Sequence, residues 1–303
     1  MNTAPRSAIA GAVGVPRRAR WALEAAAVDA CAAAIRRASP RGRLSIGRAL
    51  GTVFWAVDAR HRRNAQRNIA LAFSDTISTQ EVRRLTLASM RHFTRVVVET
   101  ATFPDFQPDA VRVEGIEHLR TALDKGRGLL GFSGHFGHWE LLRLALGHHG
   151  MPSLGIARPL ENPRLGELLT GLRGLGGNGV FARDGAVSAA SKLLGDGRFV
   201  TVLIDQQSEH SGVPVSFFGR QAFAAAGLGV LAVRTGAPVV PGFAVIEPDG
   251  SWHVVVEPEV PVVATGDERA DVQRVMTDCT AILERWVRRY PEQWLWTHAK
   301  LKP

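Results

Sequence analysis

Residues 131–140 read GFSGHFGHWE. Three of these side chains can do chemistry: His135, His138 and Glu140. Imidazole is the usual proton carrier near neutral pH. A carboxylate beside it fixes the tautomer and stabilises the imidazolium formed on taking a proton. On one continuous helix, His135 and Glu140 would diverge by about 140°. However, His135 follows Ser133-Gly134 directly after an apolar run. That places it in the turn before a helix and Glu140 in the helix's first turns, where the imidazole can fold back toward the carboxylate. The flanking glycines let a substrate come close, and helix N-terminal amides can hold developing negative charge. Such a set activates a hydroxyl toward an acyl group without a nucleophilic Ser or Cys.

Two other readings fit the same residues. His135 can cap the helix while Glu140 sits in solvent. His135 and His138, three apart, can also share a face and bind a metal. Glu140 then points elsewhere, and no second cluster completes the ligand set, although His148 and His149 follow. A metal-dependent hydrolase built on His135, His138 and Glu140 is the alternative from this reading. Stoichiometric zinc would identify it.

The surrounding pattern supplies elements to position these groups. Residues 18–37 and 44–73 read as helices separated by Pro40-Arg41-Gly42. Residues 78–102 read as a third helix, with Ser78 or Thr79 ahead of Glu81 at capping-box spacing. From Val111 onward, short apolar runs alternate with helical stretches. Strands are expected at 128–133, 152–157, 179–182 and 199–204, with helices at 137–146, 163–175, 186–195 and 222–235. The apolar run 238–246 returns through Pro248-Asp249-Gly250 to a hairpin partner at 252–256, and 267–289 forms a last helix. Alternating strands and helices imply an α/β fold with a mostly parallel central sheet flanked by helices. Sites in such sheets lie at the carboxyl ends of strands, where residues 133–135 and 204–206 both fall.

The chain has 303 residues, 46% of them apolar, enough for a large core. Residues 1–67 hold 13 arginines against Glu24, Asp29 and Asp58, so the formal charge of +9 belongs to this N-terminal helical segment. An anionic partner is expected there: a phospholipid surface, an acidic carrier protein or a nucleic acid. The confinement of charge and the lack of aromatic-flanked basic motifs argue against nucleic acid. Residues 21–35 are broken by Glu24 and Asp29, and residues 44–57 contain Arg48, so neither spans a bilayer. Apolar stretches interleaved with arginines, Trp21 and Trp55 suit interfacial helices, or a helical layer packed on the main domain, or both. The opening residues do not read as a secretory signal. Cys31 and Cys279 offer no disulfide framework, which fits a reducing compartment.

GHFGHWE resembles the first motif, HxxxxD or HxxxxE, of the lysophospholipid acyltransferase superfamily. It looks most like the branch of late (lauroyl/myristoyl) acyltransferases of lipid A biosynthesis. Five further segments agree in order: RHRRNAQRNIALAFSD (60–75), ARPLENPRLGELL (157–169), VTVLIDQQSEHSGVPVSFFGRQA (200–222), TGAPVVPGF (235–243) and WLWTHAKLKP (294–303). The resemblance covers residues 44–303. It implies a membrane-associating segment over 1–105 and an acyltransferase domain over 106–303. It makes His135 the general base, oriented by Glu140, with Arg158 facing a phosphate or oxyanion and Asp205 positioning the acceptor or Arg158. Phe218, Gly219 and Arg220 would shape an acyl or headgroup pocket, and His138, Arg183 and Gln206 complete the substrate-binding set. His138 stands where relatives commonly have asparagine, and it competes as a base. No metal or prosthetic group is implied; acyl carrier protein or coenzyme A thioester is the co-substrate. The acceptor would be a lipid A precursor-like glycolipid, or a mannolipid or aminolipid. The expected location is the cytoplasmic face of the bacterial inner membrane, with peripheral or weakly anchored attachment.

Overall fold

The computed structural model describes residues 15–298 except 75 and 207–211. Four helices come first: α1 (Val15–Arg37), α2 (Pro40–Val57), α3 (Ala59–Ala72) and α4 (Thr79–Thr100). Then follow β1 (Val111–Glu114), α5 (Ile116–Leu123), β2 (Leu129–Ser133), α6 (Trp139–His148), β3 (Leu154–Ala157), α7 (Pro163–Gly174), β4 (Gly179–Ala182), α8 (Ala186–Gly195) and β5 (Phe199–Leu203). A hairpin of β6 (Gly212–Phe217) and β7 (Arg220–Ala225) precedes α9 (Gly227–Thr235), β8 (Val239–Ile246), β9 (Trp252–Val256) and α10 (Glu268–Arg289).

Seven strands form one sheet in the order β1-β9-β8-β2-β5-β3-β4. All neighbours are parallel except β8 and β9, which form the expected antiparallel hairpin. The α/β, mostly parallel architecture is therefore the one the sequence pattern implies. Helices cover both faces, so the central strand β2 is buried throughout, as parallel sheets require. Successive residues divide between two cores at period two. Leu130 and Phe132 pack with α3, α4, α9 and α10 on one face. Leu129 packs with α5 and α6 on the other.

Local chemistry explains three boundaries. The Ser78–Glu81 capping box starts α4 as expected. Ser39 caps α2 and Pro40 occupies its first turn, so Pro40-Arg41-Gly42 opens this helix rather than separating two. Residues 44–73, read as one helix, break at Asp58. Its carboxylate accepts from the His61 N–H at 3.0 Å to start α3, and its own N–H ends α2 on the Phe54 carbonyl. The expected helix over 222–235 is corrected to a strand followed by a helix. Ala222 and Ala224 alternate inward as β7 pairs with β6, a pattern that small alanines disguised.

The N-terminal helices pack directly onto the α/β core. Ala65, Ile69 and Ala72 of α3, with Val82 and Leu85 of α4, share one hydrophobic cluster with β2, β5 and β8. Helix α2 reaches α4 through Gly47 and Gly51. A Cβ at Gly51 would stand 2.4 Å from the Arg91 Cα, and Thr94 Oγ1 donates to the Gly47 carbonyl at 2.7 Å. Gly51→Ala should force these helices apart, at a cost of roughly 1–3 kcal/mol in stability measured by urea unfolding. Unchanged stability would mean that α2 is not held on α4 by this contact.

Candidate active site

The residues between β2 and α6 form a short loop whose backbone is held on every side. The His135 N–H donates to Asp205 Oδ2 at 2.7 Å, and the His135 carbonyl accepts from the Leu295 N–H at 3.0 Å. The Gly137 N–H donates to the Gln293 carbonyl at 2.8 Å, and the Gly137 carbonyl accepts from His92 Nε2 at 3.0 Å. The His138 N–H donates to the Ala244 carbonyl at 2.8 Å. Gly137 has φ 57°, and a Cβ there would lie 1.8 Å from that same Ala244 oxygen, so only glycine fits.

His135 sits just past β2 and Asp205 just past β5. These strands are neighbours, with Ser133 opposite Leu203, so two residues further on the side chains stand side by side. His135 Nδ1 donates to Asp205 Oδ1 at 2.8 Å. A carboxylate only accepts, so the proton is on Nδ1 and Nε2 is left as the base. Trp294 Nε1 adds a third donor to Asp205, at 2.9 Å to Oδ2. Burial alone would raise the Asp205 pKa, but His135 and these donors outweigh it and hold the carboxyl below its ordinary value. Burial likewise lowers the His135 pKa. The adjacent Asp205 charge and hydrogen bond, aided by Glu140, overcome it and leave His135 raised.

The carboxylate that touches His135 is therefore Asp205, where the sequence reading gave the orienting role to Glu140. Glu140, in the first turn of α6, faces α7. There Arg173 Nε donates to it at 2.9 and 3.1 Å, and Arg173 Nη2 completes the pair. Glu140 reaches His135 through its field rather than by contact.

His138 is also placed differently from its expected substrate-binding position. It is 0% exposed, caps α6 by accepting from the Leu141 N–H, and stacks on Phe103 at 5.3 Å. Burial, with His92 and Arg95 nearby, holds its pKa well below the usual imidazole value. It is a neutral cap with no open path to substrate. His135, His138 and Glu140 thus face three separate partners and do not converge on one point.

Arg158 and Arg183 are the first residues beyond β3 and β4, two neighbouring strands in register at Ala157 and Ala182. Both are exposed, and neither side chain has a partner among the described residues. Gln206 is exposed beside Asp205. Phe218 and Gly219 form the β6–β7 turn, both at positive φ. Phe218 is buried against Phe73, Trp294 and Trp296. Its N–H donates to Glu284 at 2.6 Å, and the Arg288 guanidinium covers its ring at 4.6 Å. Arg220 Nε donates to the Leu71 carbonyl at 2.9 Å. Phe218 and Arg220 thus anchor the hairpin to the helical layer behind the site rather than lining an open pocket.

A narrow apolar cleft does open at Asp205 and Gln206. Val215, Ala222, Ala224, Thr280, Leu283 and Trp294 line it. A larger depression of about 280 Å³, between Phe73, Ile77, Leu85 and Pro291, touches neither His135 nor Asp205. The sequence reading missed Trp294, Arg173 and His298. The tryptophans of the tail were visible, but which strand end they would meet was not.

The sequence profile of the bacterial lipid A biosynthesis acyltransferases matches residues 19–303, and the chain belongs to that family. Phosphatidylinositol mannoside acyltransferase of Mycolicibacterium smegmatis is 30% identical over 186 residues, spanning 59% of this chain and 58% of that protein. Lipid A biosynthesis lauroyltransferase of Escherichia coli is 27% identical over 268 residues, spanning 85% and 84%.

The dyad geometry generates a test. Asp205→Asn removes the charge that raises His135 and leaves the burial that lowers it. The His135 titration followed by NMR should therefore move from above to below the ordinary imidazole value of about 6.5. An unmoved titration would show that Asp205 does not control this ring.

Proposed function

We propose that this family member transfers a fatty acyl chain from an acyl thioester to a hydroxyl of a membrane glycolipid. The observation that carries the reading is the His135–Asp205 pair, whose carboxylate also lines a small apolar cleft. His135, locked by Asp205 with Nε2 free, takes the hydroxyl proton as oxygen attacks the thioester carbonyl. The C–O bond forms, the C–S bond breaks, and the proton passes from His135 to the departing sulfur. Asp205 stabilises the transient imidazolium, and the Glu140–Arg173 pair sits behind it. Cys279 is buried with its thiol pushed up, and the Ser133 hydroxyl is buried, so neither is placed to form an acyl-enzyme. Direct transfer within a ternary complex is the mechanism these residues support.

The cleft beside Asp205 holds only about 30 Å³, so in this reading it marks where the acyl chain enters and must widen to take it. Arg158 and Arg183, free-ended on one sheet edge, present two guanidinium groups to an anionic headgroup. A phosphorylated, lipid A precursor-like acceptor suits them. The mannoside acyltransferase match favours a phosphatidyl-mannolipid as the second reading. The donor would be carried by acyl carrier protein or coenzyme A. No metal or prosthetic group is needed for this chemistry.

An anionic lipid surface is the proposed partner of the N-terminal helices. Leu50, Val53 and Val57 are exposed along α2, beside exposed Arg48, Arg60 and Arg63. Among the described residues no helix is long and apolar enough to cross a membrane. The proposed attachment is peripheral, on the cytoplasmic face of the inner membrane.

The test is transfer from a mixed set of labelled acyl thioesters into host membrane lipids, with products read by mass spectrometry. Wild type should give a new acylated lipid. His135→Ala should lower its rate by about 10²–10⁴-fold. Transfer that survives His135→Ala, or no transfer by wild type with stoichiometric zinc bound, would sink the reading. Ala222→Leu should shift the accepted chains toward shorter ones, by about fourfold per excluded methylene. An unchanged chain-length profile would place the acyl site elsewhere.

A further inference from the structure

The open side of His135 carries a second imidazole. His298 lies on the turn that follows Trp294 and Trp296, with its N–H donating to the Leu295 carbonyl at 3.1 Å. Leu295 in turn donates to the His135 carbonyl at 3.0 Å. One strap therefore fixes the backbone of His135 and the position of His298. The two rings are nearly parallel, at 29°, with centroids 6.0 Å apart. Trp139 packs edge-on against His135 at 5.2 Å and limits a second side of that ring.

No hydrogen bond joins the two imidazoles. At this separation a small group can reach both rings; because imidazole nitrogens bond in the ring plane, an acceptor oxygen would sit at the ring edges, about 2.8 Å from a nitrogen of each. His298 is exposed, so an incoming substrate meets it without displacing the core. Partial burial and the nearby His135 lower its pKa, which keeps the ring neutral, with one N–H donor and one acceptor nitrogen. The Asp205 charge opposes this shift, and His61 adds to it more weakly. His61 is itself bound to Asp58 at 2.8 Å.

A direct acyl transfer needs its acceptor oxygen aimed as well as deprotonated. The hydroxyl hydrogen points to the base, so its lone pairs must be held by another donor. Several nitrogen donors near His135 are already committed: its own N–H and Trp294 Nε1 to Asp205, and Arg173 Nε to Glu140. Of the rings that flank His135, Trp139 and His298, His298 is the more exposed and the one that can serve.

We propose that His298 contacts the acceptor, donating a hydrogen bond to the attacking hydroxyl oxygen while His135 accepts that hydroxyl's proton. This rests on the acyl-transfer reading above. In the step, His298 gains and loses no proton. The hydroxyl proton goes to His135 Nε2 and on to the thiolate, as the C–O bond forms and the C–S bond breaks.

The test compares His298→Phe, which keeps a ring beside His135, with His298→Gln, which keeps an N–H donor. Transfer of labelled acyl thioesters into membrane lipid is measured for both, alongside wild type, His135→Ala and thermal melting of each variant. His298→Phe should lose about 10- to 100-fold in kcat/KM for the acceptor, the size expected for one lost hydrogen bond at the reacting atom. His298→Gln should recover most of that loss, with similar melting temperatures for both. Equal activity of the two variants, at any level, overturns the proposal, because ring packing or mere presence would then suffice. Activity that survives His135→Ala would instead overturn the transfer mechanism itself, so the two failures are distinguishable.

Discussion

The structure turns on how the backbone between β2 and α6 is satisfied. This loop lies among buried elements, where an unpaired amide or carbonyl costs about 1–3 kcal/mol. Its groups find partners on four separate pieces of chain: the end of β5 at Asp205, the strap at Gln293 and Leu295, α4 at His92, and β8 at Ala244. Each partner is fixed by its own core contacts. His92, held neutral by burial with a pKa of about 4, can donate to Gly137 without bringing a charge into the interior. The loop is rigid because everything around it must be in place, and the imidazole at its start inherits that rigidity.

The strap shows how the same economy extends outward. Gln293 uses both ends of its amide on Ile246, accepting at 2.9 Å and donating at 2.8 Å, while its carbonyl holds Gly137. Asn68 of α3 donates to the Trp296 carbonyl at 2.9 Å, and Trp296 Nε1 donates to the Pro291 carbonyl. Trp296 is fully buried, with Phe73 and Phe218 beside it. The helical layer, the β6–β7 hairpin and the strap that holds the β2–α6 loop therefore meet at one aromatic cluster. Asp205 is the charged centre of that meeting, and three donors from two segments keep it ionised.

Much of this was legible in the sequence where the signal is local. Apolar runs bounded by glycine gave β2 and β5, and their carboxyl ends pointed to His135 and Asp205. The Ser78–Glu81 spacing gave the start of α4. What was not legible depends on which strands become neighbours. That β5 lies beside β2 is a property of the whole sheet, so the contact of Asp205 with His135 was hidden, and the expected partner was the carboxylate nearer in sequence, Glu140. His138 shows the complementary limit: a histidine beside a motif reads as chemistry until its burial is known. Residues 222–225 were read as helix because alanine favours helices, and pairing with β6 overrode that preference.

The strap has one more consequence. His135 and Leu295 are 160 positions apart in the chain, and their hydrogen bond requires the elements between them, the parallel sheet and α10, to be in place. Parallel pairing and distant contacts of this kind come late and together in folding. Local order at β2 and α6 cannot by itself produce a poised imidazole. A chain lacking this strap would hold His135 and Asp205 without the contacts that fix the His135 backbone. The geometry around His135 is thus a property of the whole fold and not of its own loop.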